Sequence, residues 1–527
     1  MEKGARVLIL LSGVMLAAIP ARAQTDLSAP NEPVGYHLEI TQADLPEPFA
    51  TKSVSNGGEI VAIPDPPALN LPDGFTVELF ARDFDHARWL AIAPNGDVFL
   101  AETRPGRIMA LRDGDGDGVA DSETIFWAGL RGPTGMVFHD GALYAADLHG
   151  VWRFEYESGD LQARSPPAMG TVPDALGKPG GHWTRTLVME PDGSAFYVAI
   201  GSIANDGVEP APRATIQIFD DGDGEPRTFA AGLRNPVGMA LQPQTGELYT
   251  VVNERDGYGD NLVPDYFTRI SDGDWLGWPY GYSGANPAPD YGNLAPELVA
   301  TSLEPDVMFQ SHSAPLGLVF YDAAMFPDDY RGDALVSLHG SWNRSVPAGY
   351  KIVRIRFEDG RPAGGYENFA TGFWFEGATD AKLYGRPVGM AVAADGALLI
   401  ADDGANVIWR IAYEEPWVRM MPGARSIARF PKGTIASASC ATIAASSIIP
   451  IPRSWSAVSL IGRAGCFYAA ARSNRVPDTG PFRPASWKRA RPRNRAPGAK
   501  RVKRPVPNSN STICSASTTF RVSVRSR

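Results

Sequence analysis

Six times along the chain an apolar run, a turn built on Gly, Asp or Asn, and a second apolar run follow one another. The copies read WLAIAPNGDVFLAE, PTGMVFHDGALYAAD, RTLVMEPDGSAFYVAIG, PVGMALQPQTGELYTVV, PLGLVFYDAAMFPDDYRGDALVS and PVGMAVAADGALLIADD. Apolar runs on either side of such a turn predict a β-hairpin, and one hairpin has too little surface for a core of its own. Aligned on the glycine of PxGM or its equivalent, the anchors fall at Leu90, Gly135, Thr186, Gly238, Gly317 and Gly389, with spacings of 45, 51, 52, 79 and 72 residues. Repetition at about 45–50 residues with four short strands per unit predicts an all-β fold, a six-bladed β-propeller. Such a fold gathers loops from every blade around one funnel, so distant residues can share a site.

The propeller is expected over residues 69–413, from GFTVELFA to NVIWRIAYEE, with a strand from one end pairing with the other to remove open edges. Residues 24–68 read as a Pro-rich extension with weak strand signals. The spacing widens after Gly238, so the fourth and fifth units carry inserts. The first, near Asp256–Ser313, is rich in Gly, Pro, Tyr and Trp. Long inserts on a rigid scaffold commonly carry function; a passive cap over the rim is the other reading.

Charge divides the chain. Residues 1–419 hold 29 basic and 58 acidic residues, residues 420–527 hold 20 basic and one acidic, and the whole sums to −10. The acidic body does not suit nucleic acid or an anionic membrane. All three cysteines, Cys440, Cys466 and Cys514, lie in the basic part, so the body uses no disulfide and no thiolate metal site. The tail, 414–527, lacks the repeat and is rich in Ser, Arg, Pro and Ala. It reads as disorder, either a polyanion-binding arm or text from a shifted reading frame. At the other end, Lys3 and Arg6, the run VLILLSGVMLAAI and Ala21-Arg22-Ala23 predict a signal peptide over 1–23. No stretch is a confident membrane span. A periplasmic or secreted protein is expected.

One acidic loop stands out. In DGDGDGVAD, Asp113, Asp115, Asp117, Gly118 and Asp121 occupy positions one, three, five, six and nine of a calcium loop. Position twelve is Thr124 rather than glutamate, and the loop joins strands. A structural calcium and a plain acidic turn both remain open.

Further motifs accompany the repeat: GGHW before the third copy, GLRNP before the fourth, NERD and GDNLVPDY after it, then GWPY, HGSWNRSVPAGYKIVRI and GRPVGMA with LLIADD. In that order the chain resembles the soluble pyrroloquinoline quinone (PQQ) sugar dehydrogenases, and more closely the sorbosone dehydrogenase-like branch, over nearly all of 69–413. The resemblance implies a quinoprotein with PQQ and calcium. It implies that His182 is the general base, since a sugar C–H leaves as hydride only if the attached hydroxyl loses its proton. It implies that Arg234 stabilises the quinone oxygen and that Asn235 contacts the cofactor or its calcium. Glucose-oxidising members hold calcium through main-chain oxygens of a Gln-Gly-Pro segment where this chain has Asn253-Glu254-Arg255. The departure makes Glu254 and Asp256 candidate ligands and Asn253 a cofactor contact, with a salt-bridged rim loop as the alternative. The three carboxylates of PQQ call for cations. Arg386 matches a family cofactor arginine. The family lysine of the fifth unit falls near His339–Arg344, with Lys351 beyond it. Arg131, Trp342 and Asn343 are weaker candidates.

The expected function is oxidation of a sugar or sugar-derived aldehyde, with an external quinone or cytochrome as electron acceptor. No CxxCH is present, so the chain is not expected to carry its own c-type haem. Two other readings use the same funnel: a calcium-dependent lactonase and a non-catalytic binding module.

Overall fold

The computed structural model describes residues 28–220 and 224–414, all inside the compact unit Met1–Arg429. The predicted signal peptide, the cysteines and the tail from residue 415 lie outside the described residues. No described helix is long and apolar enough to cross a membrane.

Strands dominate, and the one α-helix among the described residues is the five-residue Pro296–Ala300. Six sheets of four or five strands follow one another along the chain. Each opens on the first apolar run of a repeat copy: Ala87–Ile92, Gly135–His139, Leu187–Met189, Pro236–Leu241, Pro315–Phe320 and Pro387–Val392. The second run pairs with it antiparallel, as in Leu90 opposite Leu100, Gly135 opposite Ala146 and Met390 opposite Ile400. Inner strands are mostly apolar because both faces are largely covered, with Arg88 in the first and His139 in the second as exceptions.

The recurring glycine has a steric cause. A Cβ on Gly135 would lie 2.5 Å from Arg185 O, one on Gly238 would lie 2.7 Å from Leu316 O, and one on Gly389 would lie 2.5 Å from Arg88 O. Gly317 faces Val388 O in the same way. Each glycine therefore lets its inner strand meet the backbone of the next sheet's inner strand. The first and second inner strands also touch, as do the third and fourth. These contacts run in cyclic order, and Gly389 against Arg88 joins the sixth sheet to the first.

The core consists of six wedges, one between each pair of neighbouring sheets. Phe99 and Phe154 fill the wedge between the first and second, Val151 and Ile200 the next, then Ile216 with Tyr266 and Tyr249 with Val336. Ile352 with Trp409 and Leu100 with Leu399 complete the set. Burying one such side chain is worth about 1.5–3 kcal/mol. Phe75–Ala81 is the outer strand of the sixth sheet, paired antiparallel with Val407–Tyr413, so strands from both ends of 69–413 share one sheet.

The extension before residue 69 is built into the body. His37–Leu38 adds an edge strand to the fifth sheet against Tyr366–Glu367, and Glu59–Ile60 pairs parallel with Lys382–Leu383. Asn56 ties it down further: its N–H donates to Trp342 O (2.6 Å), and its amide donates to the carbonyls of Arg344 (3.1 Å), Ser345 (3.2 Å) and Thr379 (2.9 Å).

Candidate active site

Two kinds of loop converge at the N-terminal ends of the inner strands: those entering an inner strand and those leaving the second strand of a sheet. Register shifts at Ala87/Trp89, Pro236/Met239, Pro315/Gly317 and Pro387/Met390 mark where four inner strands leave the regular ladder. Bulges of this kind re-aim side chains at sheet rims. The loops enclose a cleft of about 560 Å³.

His182, Asn235, Asn253, His339 and Arg386 line it, together with Trp342. His182 sits between the second and third sheets. Its Nδ1 is 2.8 Å from Ser202 O and 3.0 Å from Ser202 Oγ. A carbonyl only accepts, so Nδ1 carries the proton and Nε2 keeps its lone pair. Burial, reinforced by the Arg234 charge, lowers the His182 pKa to about 4. Gly201 lets Asn235 and His182 close in on its backbone. The Oδ1 of Asn235 is buried with no hydrogen-bond partner.

The opposite wall holds residues that the sequence reading missed. Asp403 accepts from Arg88 Nη1 (2.6 Å) and His339 Nε2 (2.7 Å), and His86 Nε2 lies 3.5 Å away. Burial alone would raise the Asp403 pKa, but His339 and Arg88 hold it far below the usual carboxylate range. His86 and His339 are each lowered to about 4, chiefly by burial, with Arg88 acting on the first and Arg386 on the second. The Arg88 guanidinium lies 4.8 Å from the Trp183 ring centroid, and its Nε is buried without a partner. Arg104 joins the lining. The signals were present in DHARWL and LLIADD, but nothing local marked them, because the partners are more than 300 residues apart.

Arg386 donates to the carbonyls of His339 (3.3 Å) and Gly340 (2.9 Å), which leaves three of its five N–H donors without a protein acceptor among the described residues. Among the described residues Asp403 is the only carboxylate lining the cleft, against Arg88, Arg104 and Arg386. An acidic body thus presents a cationic cleft.

Other expected site residues have different tasks. Arg234 is buried outside the cleft lining, with all five N–H donors committed: to Asn205 O (3.1 Å), Asn253 O (3.3 Å), Glu254 O (2.6 Å), Asn205 Oδ1 (2.7 Å) and Asp256 Oδ2 (3.0 Å). It has no donor left for a reacting oxygen, so it holds the loop behind the wall and acts on His182 through its charge. Glu254 is buried against Arg255 Nε (3.1 Å). Asp256 is engaged by Arg234 and by Asn343 Nδ2 (2.7 Å). Burial would raise its pKa, yet His312 and Arg234 hold it below the usual carboxylate range. Lys351 is buried in an ion pair with Glu32 of the extension, and Arg344 bonds to Asn261 Oδ1 (3.0 Å) and Val346 O (3.0 Å) inside the fold. Neither lines the cleft. Arg131 is exposed and also lies outside it. Asp113, Asp115 and Asp117 do cluster, but Asp113 accepts from Gly116 N (2.6 Å) and Gly118 N (2.9 Å), and Asp121 from Gly114 N (2.6 Å). The acids order their own turn, and none of them lines the cleft.

Known proteins match the chain in family and in fold. The TrAA12-like family model matches residues 69–263 and 299–414, more than half of the chain. The chain belongs to the TrAA12-like family. This TrAA12-like chain is 28% identical over 358 residues, 66% of its length and 91% of the relative's, to an uncharacterised protein of Borreliella burgdorferi. It is 23% identical over 339 residues to a pyrroloquinoline quinone-dependent pyranose dehydrogenase of Coprinopsis cinerea, covering 54% of this chain and 44% of that one; it thus spans less than half the length of that relative. Among solved structures, the holo PQQ domain of pyranose dehydrogenase from Coprinopsis cinerea superposes with a TM-score of 0.55 at 20% identity, covering 67% of this chain and all of that one. The calcium structure of the Trichoderma reesei carbohydrate-active enzyme of family AA12 gives 0.55 at 19% identity, covering 67% and 98%. At these identities the likeness is one of fold.

Proposed function

We propose that this protein is an exported, PQQ-dependent oxidoreductase of sugars or sugar-derived aldehydes, built as a six-bladed β-propeller in which each of the six sheets is a blade. Family membership and the named PQQ domain of similar fold support the cofactor. The chemistry of the cleft supports it independently. A tricarboxylate needs cations, and Arg386 with three free donors and Arg104 supply them, beside Arg88, which is paired with Asp403 but keeps a buried Nε without a partner. Asn235 Oδ1, buried and unpaired, is an oxygen that would be available to hold a calcium ion.

When bound, PQQ supplies the two-electron acceptor for a hydride. The protein does the rest. His182 Nε2 takes the proton of the substrate hydroxyl, which must leave as the carbon is oxidised. Its Nδ1–H stays on Ser202 O, so the ring keeps its orientation through the transfer. Carboxylates held by the arginines would raise the His182 pKa from about 4 toward a working value. Trp183 and Trp342 add aromatic surface to the cleft wall. A quinone or cytochrome then reoxidises the cofactor.

The observation that carries this reading is His182, its Nδ1–H held by Ser202 O, in the lining of a cleft shared with Arg386, Arg104 and Arg88. Asp403, the one carboxylate lining the cleft among the described residues, is spent on Arg88 and His339, which disfavours a metal-bound-water lactonase. The test is dye reduction by the purified protein, with and without PQQ and calcium, across aldoses and aldehydes. Activity requiring PQQ is expected. A folded protein that binds no PQQ would overturn the reading.

A further inference from the structure

Behind the loop that carries His182 lie two arginines with no counter-charge. Arg185 is fully buried and Arg213 nearly so. Both reach toward one carbonyl: Arg185 Nη1 is 3.1 Å and Arg213 Nη1 3.4 Å from His182 O. Arg185 also donates to Thr184 O (2.7 Å) and Arg213 to Gly201 O (3.0 Å) and Lys178 O. Carbonyls satisfy hydrogen bonds but do not neutralise charge. Neither guanidinium forms an ion pair with a described carboxylate, and Arg185 Nε, Arg185 Nη2 and Arg213 Nε are all buried with no partner.

Charges that are fully buried are paired or lose their charge, and a guanidinium does not lose its proton at physiological pH. Two like charges converging on one carbonyl aggravate the problem. Burial, together with Arg213, pulls even the Arg185 pKa down to about 9. The acid nearest in electrostatic effect is Glu209, which acts on Arg213 and is itself bound to Ile203 N (2.7 Å) and Ala204 N (2.7 Å).

We infer that Arg185 and Arg213 bind a small monovalent anion of chloride size, which pins the residue 178–186 loop from behind. The partnerless nitrogens are its donors. Thr184 lines the cleft while Arg185 points into the protein, so this anion occupies a different place from the substrate and cofactor. It requires no PQQ and does not rest on the proposed activity.

The test uses the full-length protein without added cofactor. Thermal unfolding is followed in sodium isethionate, chloride, bromide and nitrate at fixed ionic strength. Chloride, bromide and nitrate at about a hundred times their Kd are expected to raise Tm by roughly 3 °C over isethionate. Crystals grown in bromide should show one anomalous peak within hydrogen-bond distance of Arg185 Nη2 and Arg213 Nε. The Arg213→Gln variant should lose most of the halide-dependent shift; if it does not fold, the bromide peak alone decides. Ordered waters at those nitrogens without bromide density, or equal melting in isethionate and chloride, would overturn the inference.

Discussion

The same inner strands open into two cavities of different chemistry. At their N-terminal ends lies the cleft of His182, Arg88 and Arg386, of about 560 Å³. Farther along them lies a second hollow of about 380 Å³, lined by Met136, Met239, Leu241, Phe320, Met390 and Val392. The difference follows from loop length. Most first and second strands are joined by tight turns such as PNGD and PDGS, which leave little room for reactive side chains; Asp322, in the longer fifth connection, is the exception in the second hollow. The other ends carry the long connections, including the insert after the fourth copy and the 339–350 segment. Chemistry collects where the chain has slack and is absent where the hairpin turns close.

The comparison predicts that variants in the cleft change turnover, whereas variants in the apolar hollow change only stability. The largest effect is expected for His182→Ala: a loss of about 10²–10⁴ in kcat with PQQ still bound, read by dye reduction and quinone absorbance. Retained kcat would move the base elsewhere. Next is Asp403→Ala, which strips the counter-charge from Arg88 and the hydrogen-bond acceptor from His339. Removing one member of a buried pair costs about 3–5 kcal/mol, measurable by urea unfolding, so this cleft residue should affect stability as well as cofactor binding.

Met239→Ala tests the other cavity. This side chain is buried, and its truncation should cost about 2–5 kcal/mol while leaving kcat unchanged. A large fall in kcat would erase the distinction between the two ends. A smaller effect is expected for Asn56→Ala: about 1–2 kcal/mol, with a shift in KM for the bulkier substrates, because the extension places Gly58 and Ile60 in the cleft wall. The pH profile sharpens the account of His182. With its free-protein pKa at about 4, the base is neutral and competent above that pH. The acid limb of kcat/KM, which reports the free holoenzyme, should therefore fall below pH 6.5, the ordinary histidine value.

Legibility differed with the kind of signal. The repeat foretold each inner hairpin, and the PxGM glycine proved to be the point of contact between neighbouring sheets. His182, Asn235, Asn253, His339 and Arg386 were named from their motifs and line one cleft. Arg344 and Lys351 were chosen because the family lysine of the fifth unit falls near His339–Arg344 and because they carry charge, but a cation is as useful to the fold as to a ligand; both are consumed inside the body. Arg234 sits in the expected motif yet faces loop carbonyls. The extension read as a lead-in because its strands are two residues long, too short to leave a period.

By itself the sequence determined the repeat, the inner strands and the family, since these depend on periodicity and on residues close in the chain. Only the tertiary structure decided which charges are spent. Whether Arg88 meets Asp403, or Arg185 meets no acid at all, depends on residues that are distant in the chain yet adjacent in space, and ring packing rather than local pattern sets those distances.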